Sequence, residues 1–303
     1  MNKEWISTEH IIMIVTAVLV GTMARIFTVK EDFRQYPSFP NGYLIQLVTG
    51  FIAASLGAVA IPALMTKNFV AVTFLALAIQ QFRDVRKAER ESLKDLEDTE
   101  YAYRGAAYID GISKTFEARN YFALIVSFTT SLTIQLVNTK YNWINILAGI
   151  LVGFIVFYIL KRFSKGKTIG DIAEVERGTV TIKDSELFVE GIFISNLLGF
   201  DHASDLFEKE GIAVIIKPNE EHLRITLDNF GQRQAALFEA TKAIGVKRYH
   251  FFRRDFEKGG FIITLVPIIK DIDRLIEAVK KTPLLESTKK SKATMDTNLA
   301  GKK

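Results

Sequence analysis

The stretch Tyr101–Tyr121, YAYRGAAYIDGISKTFEARNY, lies between two blocks of apolar sequence and begins where a densely charged run ends. It gathers four tyrosines, two glycines and alternating acids and bases. Read as a helix over Tyr108–Tyr121, it places Asp110 and Glu117 on one face, seven residues apart, with Lys114 between them. Everything on either side of this stretch is of a different kind. Two glycines inside a helix cost about 1 kcal/mol each, a cost that points to a site.

On its amino-terminal side the chain is greasy. It has 303 residues, 49% hydrophobic and 24% charged, with a mean hydropathy of +0.16. So much of both implies segregation into apolar spans and a charged domain. There is no cysteine, which excludes disulfides, thiolate nucleophiles and cysteine-ligated metal centres. The first apolar run, about His10–Phe27, has no basic leader and no cleavage site, and reads as a retained transmembrane helix. A loop with Arg25, Lys30, Arg34, Pro37 and Pro40 is expected after it. The second run, about Tyr43–Met65, carries Gly50, Ala54 and Ala58 at the four-residue spacing that lets helices pack closely in lipid. A third run, about Phe69–Phe82, is short for a crossing. Arg83–Glu100 is charged throughout and reads as a solvated helix with acid–base pairs at i+3 and i+4.

Beyond the quoted stretch come a hydroxyl-rich fourth span, about Tyr121–Val137, and a fifth, about Trp143–Leu160. The fifth contains Gly149 and Gly153, a GxxxG face suited to helix packing and to homo-oligomer contact. Lysine and arginine set the expected orientation. Eight basic residues lie between Arg83 and Arg119, and Lys161, Arg162, Lys165 and Lys167 follow the fifth span, whereas the opposite side shows only Lys3, Lys67 and Lys140. The amino terminus is therefore expected outside a bacterial cytoplasmic membrane, with the carboxyl-terminal domain in the cytoplasm.

The fold class expected is an α-helical multi-pass membrane domain of about five spans, residues 1–165 with a cytoplasmic loop 83–120. A small cytoplasmic α+β domain, 166–285, and a disordered polar tail, 286–303, follow it. Within the small domain, Thr179–Ile182 and Leu187–Ile194 are expected to pair, as are Ile212–Lys217 with Leu223–Leu227 and Tyr249–Arg253 with Phe261–Val266. Helices are expected over Phe230–Ile244 and Ile268–Lys281. The order β-β-α-β-β-α then makes a sheet with helices on one side.

Tyr108-Ile109-Asp110-Gly111-Ile112-Ser113 and Lys114-Thr115-Phe116-Glu117-Ala118-Arg119-Asn120-Tyr121 resemble the signature of the YIEGIA family, multi-pass membrane proteins of endospore-forming bacteria. Asp110 stands where the naming motif has Glu, and Ser113 where it has Ala. The resemblance implies a sporulation-associated membrane protein, linked to regulated proteolysis of a cytoplasmic substrate that includes translation initiation factor 2. It argues against Ser113 as a nucleophile.

The residues themselves leave three readings open. Asp110 and Glu117 are candidate catalytic carboxylates for a membrane-bound peptidase, or merely a charged ladder on a solvated helix. Tyr101, Tyr103 and Tyr108 fit interfacial anchors. Arg253 and Arg254, in the aromatic-basic run Tyr249–Arg254, are candidates for binding a phosphate-bearing ligand or nucleotide, as in a non-enzymatic scaffold or sensor with a protein partner, or belong simply to a strand with one buried face. A small-solute transporter is third, because no ionisable group lies at the centre of a span. No zinc-protease motif, phosphate-binding glycine loop or serine elbow occurs, and His10, His202, His222 and His250 lack ligand spacing. No metal, cofactor or nucleic acid is expected; the lipid bilayer is.

Overall fold

A computed structural model describes residues 8–32, 40–67, 69–196 and 201–286. The tail expected to be disordered lies, after residue 286, outside the described residues. Contacts divide the chain into two compact units: Met1–Glu91 with Ile112–Lys165, and Ser92–Gly111 with Gly166–Lys303.

Five helices come first in the chain: α1 (Thr8–Asp32), α2 (Pro40–Met65), α3 (Phe69–Glu97), α4 (Ala106–Val137) and α5 (Asn142–Ser164); the first unit holds α3 as far as Glu91 and α4 from Ile112. Four of them, α1, α2, α4 and α5, are long and apolar enough to cross a membrane. The short third run and the charged run after it form one continuous helix, α3, because no glycine or proline interrupts them. Its apolar first part, Phe69–Phe82, rises only about 21 Å at 1.5 Å per residue, against a hydrocarbon core of about 30 Å. Arg25 does not lie in a loop. It sits in the last third of α1 with no exposed surface, its Nη1 donating to Thr28 Oγ1 at 3.1 Å and its guanidinium 5.4 Å from the Phe116 ring centre.

Small residues bring these helices together. A Cβ on Gly57 would stand 2.2 Å from the Leu124 carbonyl oxygen, so α2 and α4 touch backbone to backbone there. Ser127 and Ser131 of α4 donate to the carbonyls of Ala54 and Ala58 at 2.6 and 3.2 Å. These two serines hold a neighbouring helix, as side-chain donors do in lipid, whereas Thr129, Thr130 and Thr133 donate to carbonyls of α4 itself. Gly149 and Gly153 of α5 meet Thr130 and Ile134 of α4, and Gly153 also meets Val20 of α1, so this face is occupied within the chain.

The second unit contains β1 (Ala173–Gly178), β2 (Val180–Lys183), β3 (Glu186–Val189), β4 (Ile192–Ser195), α6 (Asp201–Glu210), β5 (Ile212–Pro218), α7 (Arg224–Asp228), α8 (Phe230–Ile244), β6 (Val246–Arg254), β7 (Phe261–Pro267) and α9 (Ile272–Lys280). An antiparallel four-stranded sheet runs β1-β5-β7-β6, and a three-stranded sheet runs β2-β3-β4. The central strands β5 and β7 are buried on both sides, which is why they read as unbroken apolar runs. Ile212, Val214, Ile216, Phe261, Ile263 and Leu265 meet α8 and α9; Ala213, Ile215, Ile262 and Val266 meet the small sheet and α6. The result is three layers, not one sheet with helices on one side.

Several expectations need correction here. Leu223–Leu227 is not a strand but a 3-10 turn running into α7; the sheet positions beside β5 are taken by β1 and β7. Leu223 and Leu227, four residues apart, are both buried, as on one helix face. Leu187–Ile194 is two strands, split where Glu190 and Gly191 take φ of +49° and +77°. Strand β1 and helix α6 were not expected, and α9 begins at Ile272 behind the cap Asp271 instead of at Ile268. Phe230–Ile244 is a helix with those bounds, closed by Gly245.

Candidate functional site

The signature stretch belongs to both units, changing from one to the other between Gly111 and Ile112. Its first part, in the second unit, is a strap lying against α8 and β6. A turn precedes α4, where Gly105 has φ of +85° and its N–H donates to Glu97 Oε1 at 2.7 Å. That positive φ favours glycine here, while the Gln234 side-chain end, 2.6 Å from where a Cβ would stand, could swing aside.

From that turn three side chains engage α8 and β6. Tyr108, buried, donates through its hydroxyl to Glu239 Oε1 at 2.5 Å and sets its ring edge-on to Phe238, with centroids 6.2 Å apart. The Arg104 guanidinium lies 4.6 Å from the Phe238 ring centre and bonds Glu100 at 2.7 Å. Tyr101 donates to the carbonyl of Arg248 and presents its ring edge to His250, centroids 5.2 Å apart. Burial holds the His250 imidazole below its usual range. Tyr103 is exposed.

The second part runs on in the first unit. Ile112, Ser113, Phe116 and Asn120 are buried at helical spacing, and continue into Ala123 and Ser127. Neither amide atom of Asn120 has a hydrogen-bond partner among the described residues. Lys114, Thr115, Ala118, Arg119 and Tyr121 are half-buried. Glu117 is held by Arg86 of α3 at 3.5 Å, beside Val85, which like Tyr121 and Leu124 packs against the cluster of Ala53, Ala54 and Ala123.

The candidate carboxylates therefore have separate settings. Asp110, half-buried, and Glu117 do share a face of α4, but seven residues of helix set them about 10.5 Å apart along its axis. At that axial separation the two carboxyls are not a hydrogen-bonded pair that shares one proton. Ser113 has no exposed surface, so it is not presented to a substrate. The helix turns most of the naming hexapeptide, Tyr108, Ile109, Ile112 and Ser113, into packing surface.

Arg253 and Arg254, adjacent in β6, point to opposite sides of the sheet, as strand neighbours must. Arg253 lies 5.8 Å from the ring centre of Phe193 in β4, whereas Arg254 pairs with Asp228 of α7 and covers Phe256 at 5.0 Å. Sequence reasoning passed over Arg233. It lies on α8, 8% exposed, with its guanidinium 5.9 Å and 5.5 Å from the ring centres of Phe230 and Phe252. Its position one turn into an apolar helix, between aromatic neighbours in sequence and strand, was the available signal.

The sequence model of the YIEGIA protein family matches residues 13–295. A relative described as uncharacterized protein YphB, from Bacillus subtilis (strain 168), is 34% identical over 287 residues, covering 92% of this chain and 94% of its own length. No solved structure matches the chain. The match spans the helices, the signature stretch and both sheets, and this chain belongs to the YIEGIA protein family.

Proposed function

We propose that the chain is a non-enzymatic membrane scaffold or sensor: its second unit binds a partner protein in the cytoplasm of an endospore-forming bacterium, and its signature stretch couples that unit to the bilayer-embedded helices. What supports the reading is the use to which the signature is put. Tyr101, Arg104 and Tyr108 are spent on holding α8 and β6, and Ile112, Phe116 and Asn120 on packing. A catalytic loop would instead leave its acids converging on open space.

The test is a substrate- and partner-capture experiment in cells, with each variant checked for membrane insertion. Asp110→Asn and Glu117→Gln are expected to leave partner capture within about twofold of wild type, whereas Tyr108→Ala, which unseats the strap, should abolish it. Should Asp110→Asn instead stop the turnover of a cytoplasmic protein such as translation initiation factor 2, a sporulation-linked membrane protease takes the place of the scaffold.

In the orientation proposed, the amino terminus is outside and the second unit in the cytoplasm, with α3 completing the fifth crossing. The distribution of lysine and arginine supports it. Were α3 to lie along the surface, four crossings would put both termini on one side. The cysteine-free sequence makes this directly readable. Single cysteines at Glu9, Lys67, Lys140 and Lys183 are to be treated with a membrane-impermeant maleimide on intact cells. Labelling of the first three and protection of the fourth is expected; protection of Glu9→Cys and Lys67→Cys overturns the fifth crossing.

A further inference from the structure

At one end of the second unit, α7 and the β6–β7 turn enclose a cleft of about 160 Å³, lined among others by Arg224, Ile225, Asp228, Arg254, Phe256 and Gly259. The cleft is built rather than incidental. Gly259 has φ of +73° and lets the chain pass against the Arg224 side chain, which donates through Nη2 to the carbonyls of Phe256 and Glu257 at 3.2 and 3.0 Å. Asp255, nearly buried, ties the same turn by accepting from the N–H groups of Glu257 and Lys258 at 3.0 and 2.9 Å. Arg224 also lies 3.5 Å from Glu221. These groups are consumed in making the wall.

Arg233 is not. Its side chain is more than nine-tenths buried, its Nε has no hydrogen-bond partner, and among the described residues it forms no ion pair. Its guanidinium lies 5.5 Å from the Phe252 ring centre, and Phe252 precedes Arg254 by two residues on the same face of β6, which sets Arg233 behind the Arg254 side of the cleft. Burial and the nearby Arg254 lower its proton affinity, and Asp228 only partly restores it. A buried guanidinium whose Nε lacks an acceptor is costly to keep, and the rings of Phe230 and Phe252 recover only part of that cost. An anion seated here would complete the set, since a guanidinium pair is matched in shape and charge to phosphate oxygens. Exposed Phe256 and Ile225 line the cleft with apolar surface.

We propose that this cleft binds a phosphoryl group borne on an apolar or aromatic body, with Arg233 and Arg254 as its recognition residues. Asp228 is the resident competitor: the incoming phosphate takes its place on Arg254 and gains Arg233 besides. The phosphate belongs either to a soluble nucleotide or to an anionic lipid headgroup. The proposal rests on the binding-protein reading above and gives it a ligand class.

The full-length protein in detergent micelles is to be titrated calorimetrically with pyrophosphate and with AMP. In parallel, hydrogen exchange at the Asp255–Gly260 turn is to be compared in nanodiscs of phosphatidylcholine alone and with phosphatidylglycerol. Saturable binding of the soluble phosphates identifies a nucleotide-type ligand. Slowed exchange only with phosphatidylglycerol identifies the headgroup. Either effect should fall at least tenfold in Arg233→Gln and in Arg254→Gln, stay unchanged in Arg253→Gln on the opposite face, and strengthen severalfold in Asp228→Asn. Should Arg233→Gln fail to fold, Asp228→Asn decides alone, and an unchanged or weaker response there overturns the site. No response in either arm, or one that survives both arginine variants, also overturns it. Partner capture retained by the same variants separates that failure from a failure of the scaffold reading.

Discussion

At the scale of single residues, the signature is mostly a set of contacts. Tyr108→Phe removes one hydroxyl and leaves the half-buried Glu239 carboxylate short of a donor; a hydrogen bond to a charged group is worth about 1.5–3 kcal/mol. Thermal unfolding of the second unit should register a loss of that size, while Tyr103→Phe, on an exposed ring, should register none. His250 gives a pH dependence whose sign follows from its burial. Its pKa is depressed in the folded protein, so the unfolded chain takes up the proton first as pH falls below about 6.5. Stability is full above that pH and declines beneath it. Melting temperatures measured from pH 8 to pH 5 should fall less steeply in His250→Phe, which keeps a ring against Tyr101; an equal slope would remove His250 as the cause. Asp110 and Glu117 were legible as a shared face, since a seven-residue spacing fixes direction. Their distance along the axis was equally implicit in that spacing, and it is what separates their chemistry.

At the scale of elements, what could be read ahead was set by whether an element's surroundings were themselves readable. Helices α1, α2, α4 and α5 declare themselves by length and apolarity because lipid imposes one rule along the whole segment. Strands β5 and β7 and helix α8 were equally plain. Strand β1 was not: Glu174, Glu176 and Arg177 disguise an edge strand whose inward residues are only Ala173, Val175 and Gly178. Leu223–Leu227 went astray because two leucines four apart serve a short helix as well as a strand, and only the pairing of β5 with β1 and β7 decides between them. Among the helices, the α2–α4 contact carries the sharpest prediction. Gly57→Val puts carbon against a backbone carbonyl that cannot move aside, costing about 1–3 kcal/mol or more. Ser127→Ala loses one interhelical hydrogen bond, about 0.6 kcal/mol. Unfolding in mixed micelles should rank them in that order.

At the scale of the molecule, the chain mixes two solvents' rules within single helices. Helix α4, 32 residues and about 48 Å long, begins with residues that pack in the second unit and continues through residues that pack in the first. Composition announced the segregation into apolar and charged parts, but it could not place Ser92–Gly111, because contacts with α8 and β6 are not visible from neighbours in sequence. The strap also bears on how the molecule behaves among many copies of itself. Strand β6 is the last in its sheet among the described residues, a position at which backbone groups can recruit a foreign strand. It carries Lys247, Arg248, Arg253 and Arg254, and Tyr101 occupies one of its carbonyls. A crowded cell therefore meets a charged edge with one acceptor already taken, a poor template for templated β-aggregation. Tyr101→Phe combined with Arg248→Thr should make purified protein self-associate on mild heating, which light scattering would detect.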